Sequence, residues 1–254
     1  RDIAFANNQY VLTGDDGLIL VSTDAISWVR RSLNGSLSLR SAAYANSTWV
    51  VVSNATPANV FTSSDSGATW VAQNTSVTAN HLNGLATDGS SSIIAVGAAG
   101  TIIRSTNGST WAAVSSGITT ELEDAAFGAG TYVAVGTGGR ILTSATGATW
   151  APATSTTTND LWSARFLNGT FFVPGAGGIL LKSANGTTWT SATLAGSPEV
   201  NEMAYGRVGG TTDVYLAGCE DGILLRSTDG TNWTPVALGV TASINGLAYG
   251  NGQF

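Results

Sequence analysis

The sequence is poor in the residues that most often carry chemistry. Its 254 residues hold one cysteine (Cys219), one histidine (His81), one methionine (Met203) and one lysine (Lys182). A lone cysteine excludes an internal disulfide, and one His with one Cys excludes a zinc site built from those ligands. It leaves the compartment open, because an oxidising location permits disulfides without requiring them. Charged residues make up only 10% of the chain, against about a quarter in ordinary proteins. The net charge is −6 and the few arginines are scattered. A nucleic-acid partner requires a basic stripe to neutralise phosphates, so that class is excluded, and an anionic membrane surface is disfavoured on the same ground. No apolar run approaches the roughly 20 residues of a spanning helix, so direct membrane insertion is not expected.

What is present is glycine, 32 residues of it, and an apolar content of 43%. That combination describes many short strands joined by tight turns. Six times the chain spells Ser, any residue, Asp or Asn, usually Gly, two more residues, then Trp. The acids and amides are Asp24, Asp65, Asn107, Asn185 and Asp229, with Thr146 in the fourth copy. The tryptophans are Trp28, Trp70, Trp111, Trp150, Trp189 and Trp233, spaced 42, 41, 39, 39 and 44 residues apart. A fixed period near forty marks a repeat architecture.

Aligned copies divide into four runs of four to seven residues, rich in β-branched and aromatic types and bounded by Gly, Asn or Ser. Gly-x-x-Gly links the second and third runs, as in Gly97–Gly100 and Gly136–Gly139, which fits a hairpin needing positive φ. The Ser-x-Asp phrase links the third and fourth. Its Asp or Asn accepts turn N–H groups, and its Trp packs on a neighbouring unit. A four-stranded antiparallel unit has two faces to cover. A ring of such units covers them, so the expected fold is an all-β propeller.

The phrase resembles the Asp-box, or bacterial neuraminidase repeat; Ser63, Asp65, Gly67 and Trp70 match it in full, and the other copies are one residue shorter. The repeat as a whole is similar to bacterial secreted and surface propellers and to photosystem-assembly-factor-like propellers. The resemblance spans the chain and implies fold; the repeat is shared by sialidases, other glycosidases, sorting receptors, assembly factors and plain binding modules.

The expected organisation is one domain, 1–254, with blades at about 1–37, 38–79, 80–120, 121–158, 159–199 and 200–242. An extra first strand follows at 243–254, where Leu247–Phe254 duplicates Ile3–Tyr10. Six complete blades are expected, with a truncated seven-bladed ring as the alternative. Both ends fall inside a repeat, which points to a longer natural chain with other domains.

Ligands of propellers usually bind at the channel mouth, built from the residues that enter each first strand. Here those residues vary between copies while the rest recurs. The candidates for binding are Arg40, His81, Asn83, Glu121, Glu123, Asp160, Trp162, Glu199 and Glu202. The recurring phrase residues are expected to be structural and to face the other side. Sialidase activity would require an arginine trio, a Tyr–Glu pair and an Arg-Ile-Pro-like motif, and that motif is absent. A glycoside hydrolase would draw its two carboxyl groups from Glu121/Glu123 or Glu199/Glu202. No loop carries the acidic alternation of a calcium site, and no helix follows the Gly-rich turns to receive a phosphate. No metal or cofactor is expected. The leading expectation is a non-catalytic, extracellular or cell-surface binding module for a protein or glycan partner. The alternatives are a glycoside hydrolase, and an assembly factor, which would be expected to carry an arginine patch this acidic chain lacks.

Overall fold

The computed structural model describes the chain except Asn34, Ala58, Ser91, Ala195 and Ser197, and only the backbone of Ala192 and Thr193. Six antiparallel four-stranded sheets follow one another along the sequence, each in up-and-down order. The fourth is representative: Leu122–Gly128, Thr131–Gly136, Arg140–Ser144 and Ala151–Ala153. Its second strand, Tyr132-Val133-Ala134-Val135, is buried along its length, as a strand covered on both faces must be.

Apolar packing lies between blades. One buried layer joins Val50, Val52 and Val60 of the second blade to Leu82, Ile93 and Trp111 of the third. Another joins Val133 and Ile141 of the fourth to Phe171, Val173 and Trp189 of the fifth. The last layer is thin: Val214, Leu216 and Leu224 of the sixth blade are covered by Ile244 and Leu247.

The Ser-x-Asp phrase builds one turn six times. In the third blade, Ser105 Oγ accepts the N–H groups of Asn107 and Gly108. Asn107 Oδ1 accepts those of Ser109 and Thr110, at 2.9 and 2.8 Å. Trp111 Nε1 then donates to the Gly108 carbonyl at 3.0 Å. Gly108 takes φ +76°; in the first copy Ala25 stands there with φ 59°, a conformation costly for a side chain. Each phrase glycine sits against the preceding blade: an added Cβ at Gly147 would meet Ile94 Cδ1 at 2.4 Å, and at Gly186 Val133 Cγ2 at 2.8 Å. The three acids show the same bonding in their ionisation. Turn hydrogen bonds hold Asp24 and Asp65 down at about 2, and Asp229 lower still.

Arg104 and Lys182 occupy matching places and reach across to the next blade's phrase. Arg104 Nε donates to the Thr146 carbonyl at 3.2 Å, and Lys182 Nζ to Thr231 Oγ1 at 3.0 Å. Their role is packing between blades.

Residues 244–254 stand in the place of a seventh first strand, between the sixth blade and the first, without joining a ladder of their own. Four correspondences define that place. Ile244 N donates to the Cys219 carbonyl as Leu161 N does to Gly136. Asn201 Nδ2 reaches the Ile244 carbonyl as Asn83 Nδ2 reaches that of Leu122. Gly206 faces the Tyr249 ring as Gly128 faces Phe166, and Gly250 in turn faces Phe5. Asn251 Nδ2 donates to the Thr23 carbonyl of the first blade's phrase as Asn46 does to Thr106 of the third.

Candidate functional site

From the second blade to the sixth, the first strand is opened or preceded by an apolar anchor, Leu39, Leu82, Leu122, Leu161 and Val200, and Ile244 holds the same place in the seventh position. The next residue is where register breaks. In four blades the ladder jumps from the anchor to the residue two further on, from Leu39 to Ser41, Leu82 to Gly84, Leu122 to Asp124 and Val200 to Glu202. Arg40, Asn83, Glu123 and Asn201 are therefore the extra residues of β-bulges, a device that re-aims a side chain. In the fifth blade Leu161 keeps an isolated bridge to Gly175, and the ladder resumes only at Arg165. Pro174, which has no N–H to give a ladder, lies opposite that gap.

The bulge residues converge on one cavity of about 240 Å³ at an end of the channel. Its wall is Arg1, Arg40, Asn83, Glu123, Trp162, Asn201 and Asn245, and its floor includes Asp2, Asp124, Glu202 and Arg165. Of the residues singled out from sequence, Arg40, Asn83, Glu123, Trp162 and Glu202 line this cavity. His81, Glu121, Asp160 and Glu199 lie one step outside it.

Those four are committed to neighbours. His81 Nε2 and Glu121 Oε1 are 2.9 Å apart, and Asn83 Nδ2 donates to the same oxygen at 2.9 Å. The hydrogen bond from His81 holds the Glu121 carboxyl below its ordinary value, against the effect of burial. Asp160 accepts the Gly138 N–H at 2.8 Å and Glu199 that of Gly177 at 3.2 Å, so both pin the preceding blade's Gly-rich loop.

The floor is a charge cluster around Arg165. Its Nη1 donates to Asp124 Oδ2 at 2.6 Å, its Nη2 pairs with Glu202 Oε2, and Asp2 Oδ1 lies 3.8 Å away. These carboxylates come from the fourth, sixth and first blades, so one guanidinium ties four blades together. Asp124 also accepts the N–H groups of Ala125 and Ala164, the latter from the next blade, and Asp2 does the same for Ala42. Burial pushes Glu202 up to about 7, opposed by Arg165, and raises Asp124 in the same way. Attraction to the three carboxylates raises Arg165 above its ordinary value, outweighing its own burial. Among the described residues no group of three His, Cys, Asp or Glu side chains is arranged to hold a metal ion.

Sequence reading missed this cluster. The signal was present: at the place of Arg165 the other copies have Ala4, Ala43, Ala86, Ala126, Ala204 and Ala248. A lone arginine in a column of alanines marks a departure from the repeat.

Chemically, the floor is neutralised and hydrogen-bonded, and the wall is varied and half-exposed. The arrangement can bind and orient a ligand. Glu121, Asp124, Glu199 and Glu202 are all held by protein donors, which leaves Glu123 as the one wall carboxylate with no partner among the described residues.

No protein-family model matches the chain, and no curated protein matches it. Many solved structures do. YCF48 from Cyanidioschyzon merolae is 18% identical, with a TM-score of 0.73, and the match covers 95% of this chain and 85% of that one. A structure of YCF48 bound to D1 peptide is 20% identical over 92% and 80%, at 0.70. Virginiamycin B lyase from Staphylococcus aureus is 10% identical over 94% and 84%, at 0.81. A GH74 enzyme from Niastella koreensis is 21% identical over 89% of this chain and 37% of its own, at 0.62. At these identities the likeness is one of fold.

Proposed function

We propose that this chain is a non-catalytic binding module that receives a segment of a protein partner at its channel mouth. The observation that carries the reading is the convergence of the bulge residues. They vary between copies, as Arg40, Asn83, Glu123 and Asn201, with asparagine in two of the four, yet they all line one cavity, while the recurring phrase residues are spent on turns and blade packing. In this reading the repeat is of the Asp-box class, the module is part of a longer secreted or surface protein, and the turns serve only to hold the ring.

A peptide is favoured over a glycan as ligand because a similar propeller, YCF48, is known bound to D1 peptide. On the same comparison the chain would act as an assembly factor, holding a segment of another protein while a complex forms. Glycoside hydrolysis is less well supported. It requires two carboxyl groups free to face the sugar, and here the candidate pairs diverge. Glu121 is tied to His81 and Glu199 to Gly177 N–H, and Glu202 is neutralised by Arg165.

The test is retention on arrays of peptides and of glycans, with Trp162→Ala as control. Trp162 lines the cavity and its Nε1 is held by the Val200 carbonyl at 3.1 Å. Peptides should be retained by the native chain and lost by the folded variant. Retention of glycans alone, or retention of peptides undiminished by the substitution, would overturn the reading.

A further inference from the structure

The wall residues differ in how they are satisfied. Arg1 is paired with Asp15 through two bonds of 3.1 and 3.0 Å. Asn83 donates to Glu121 and to the Leu122 carbonyl. Trp162 donates to Val200, and Asn201 to Ile244 and to Asn245. That leaves Arg40 and Glu123. Among the described residues neither takes part in an ion pair or a side-chain hydrogen bond, with each other or with anything else. Arg40 Nε is shielded from solvent and has no acceptor.

Buried polar groups of proteins are nearly always paired, and an unpaired charged donor is costly. An arginine fork is built to take a carboxylate. Glu123 is the complementary case. Burial raises its carboxyl and the neighbouring Glu121 charge raises it further, while Arg40, beyond ion-pair distance on the same wall, draws it part of the way back. The two stand on the second and fourth blades, on the wall of one cavity that also presents Trp162. The other charges around them are already cancelled, Arg1 by Asp15 and Arg165 by its carboxylates.

We infer that the mouth is a mixed-charge site: it takes a peptide segment that sets one carboxylate against Arg40 and one ammonium or guanidinium against Glu123. The inference rests on the peptide-binding reading and names the chemistry of that peptide. An acidic segment meets Glu123 unpaired, and a basic one meets Arg40 unpaired, so each is disfavoured although the cavity as a whole is close to neutral. Specificity of this kind comes as much from the mismatches as from the match.

The test uses four libraries of acetylated, amidated hexapeptides, which carry no terminal charge. One holds a single Asp and a single Lys at varied separation, one two Asp, one two Lys, and one no charged residue. Binding is read from the indole N–H resonance of Trp162 during titration. The native chain should prefer the mixed library by about tenfold or more over each of the others. Arg40→Gln should bring the two-Lys library level with the mixed one, and Glu123→Gln should do so for the two-Asp library. Because among the described residues neither side chain makes an ion pair or a side-chain hydrogen bond, both variants should keep the native melting midpoint. Equal binding of all four libraries at Trp162 would overturn the inference and leave the peptide reading standing. A Trp162 resonance unmoved by any library would overturn both. A large loss of melting temperature in Arg40→Gln or Glu123→Gln would show that the side chain is structurally engaged, and would also overturn the inference.

Discussion

Replacing Arg165 by alanine isolates the electrostatics of the channel floor. Alanine occupies the matching place in the other copies, so the backbone accepts it and the perturbation is one of charge. In the native chain Arg165 is 27% exposed at its side chain, and Asp124 and Glu202 are 10% and 7% exposed. Removing one partner from a buried ion pair costs about 3–5 kcal/mol, because the remaining charge is stranded. For a chain of this size that corresponds to a drop of roughly 6–20 °C in melting temperature. The loss should depend on pH, and the sign follows from Glu202. Its folded value is about 7, above the ordinary 4.5. Such a carboxyl takes up a proton on folding, so its contribution to stability falls as pH rises from 4.5 through 7. Without Arg165 the folded value rises further and the window extends upward. At pH 8 the variant should show the full loss. At pH 5, with Glu202 protonated, its share of the loss should fall away while the share from the stranded Asp124 persists, so the loss should be smaller than at pH 8. Urea denaturation at the two pH values measures both. An equal loss at pH 5 and pH 8 would mean that the charge of Glu202 takes no part, and no loss at pH 8 would mean that the cluster contributes nothing; either refutes the reasoning.

Two degenerate copies of the turn should be improvable. Ala25→Gly relieves a left-handed alanine (φ 59°) and should raise the melting temperature by about 2–4 °C. Thr146→Asp supplies the acceptor that binds two N–H groups in other copies, where Thr146 accepts only that of Ala148 at 3.3 Å; a similar rise is expected in differential scanning calorimetry. Gly147→Ala drives a methyl to 2.4 Å from Ile94 Cδ1, whereas Gly117→Ala, at a similar φ of +72°, meets nothing within 4 Å. The first should cost about 2–4 kcal/mol and the second about 1 kcal/mol in chemical denaturation. Trp111 Nε1 donates to Gly108, but Trp233 Nε1 is buried without a partner, so Trp111→Phe should cost about 1 kcal/mol more than Trp233→Phe.

The strands, their hairpins and the phrase turns were legible because each is a local matter. Alternation, a glycine at a left-handed place and a side chain bonding two or three residues away are all written within about ten residues. The mouth was partly legible for a related reason: Arg40, Asn83, Glu123 and Trp162 stand where copies disagree. The bulges that aim Arg40, Asn83 and Glu123 show only in the register of the ladders. Partnership was not legible. His81 and Glu121 look alike as candidate contacts on the page, but they are 40 residues apart and bonded to each other. Glu202 was expected to be available at the mouth and is instead held at the floor by Arg165. The duplicate of the first strand at 243–254 was visible, while its seat between the sixth blade and the first came only from the contacts of Ile244, Tyr249 and Gly250.

The sequence by itself determined that this chain repeats a four-stranded unit, that its units need neighbours on both faces, and that its recurring Ser, Asp and Trp residues belong to turns. These follow from period, turn chemistry and the burial that a two-faced sheet demands. Only the tertiary structure decided which charges are spent and which are free. That depends on which blades meet across the channel, where residues of the first, fourth, fifth and sixth blades come within bonding distance of one guanidinium. Ring closure places them there, and no local pattern encodes it. Arg40 and Glu123 became the distinctive residues of the mouth because every other charge on its wall and floor had found a partner.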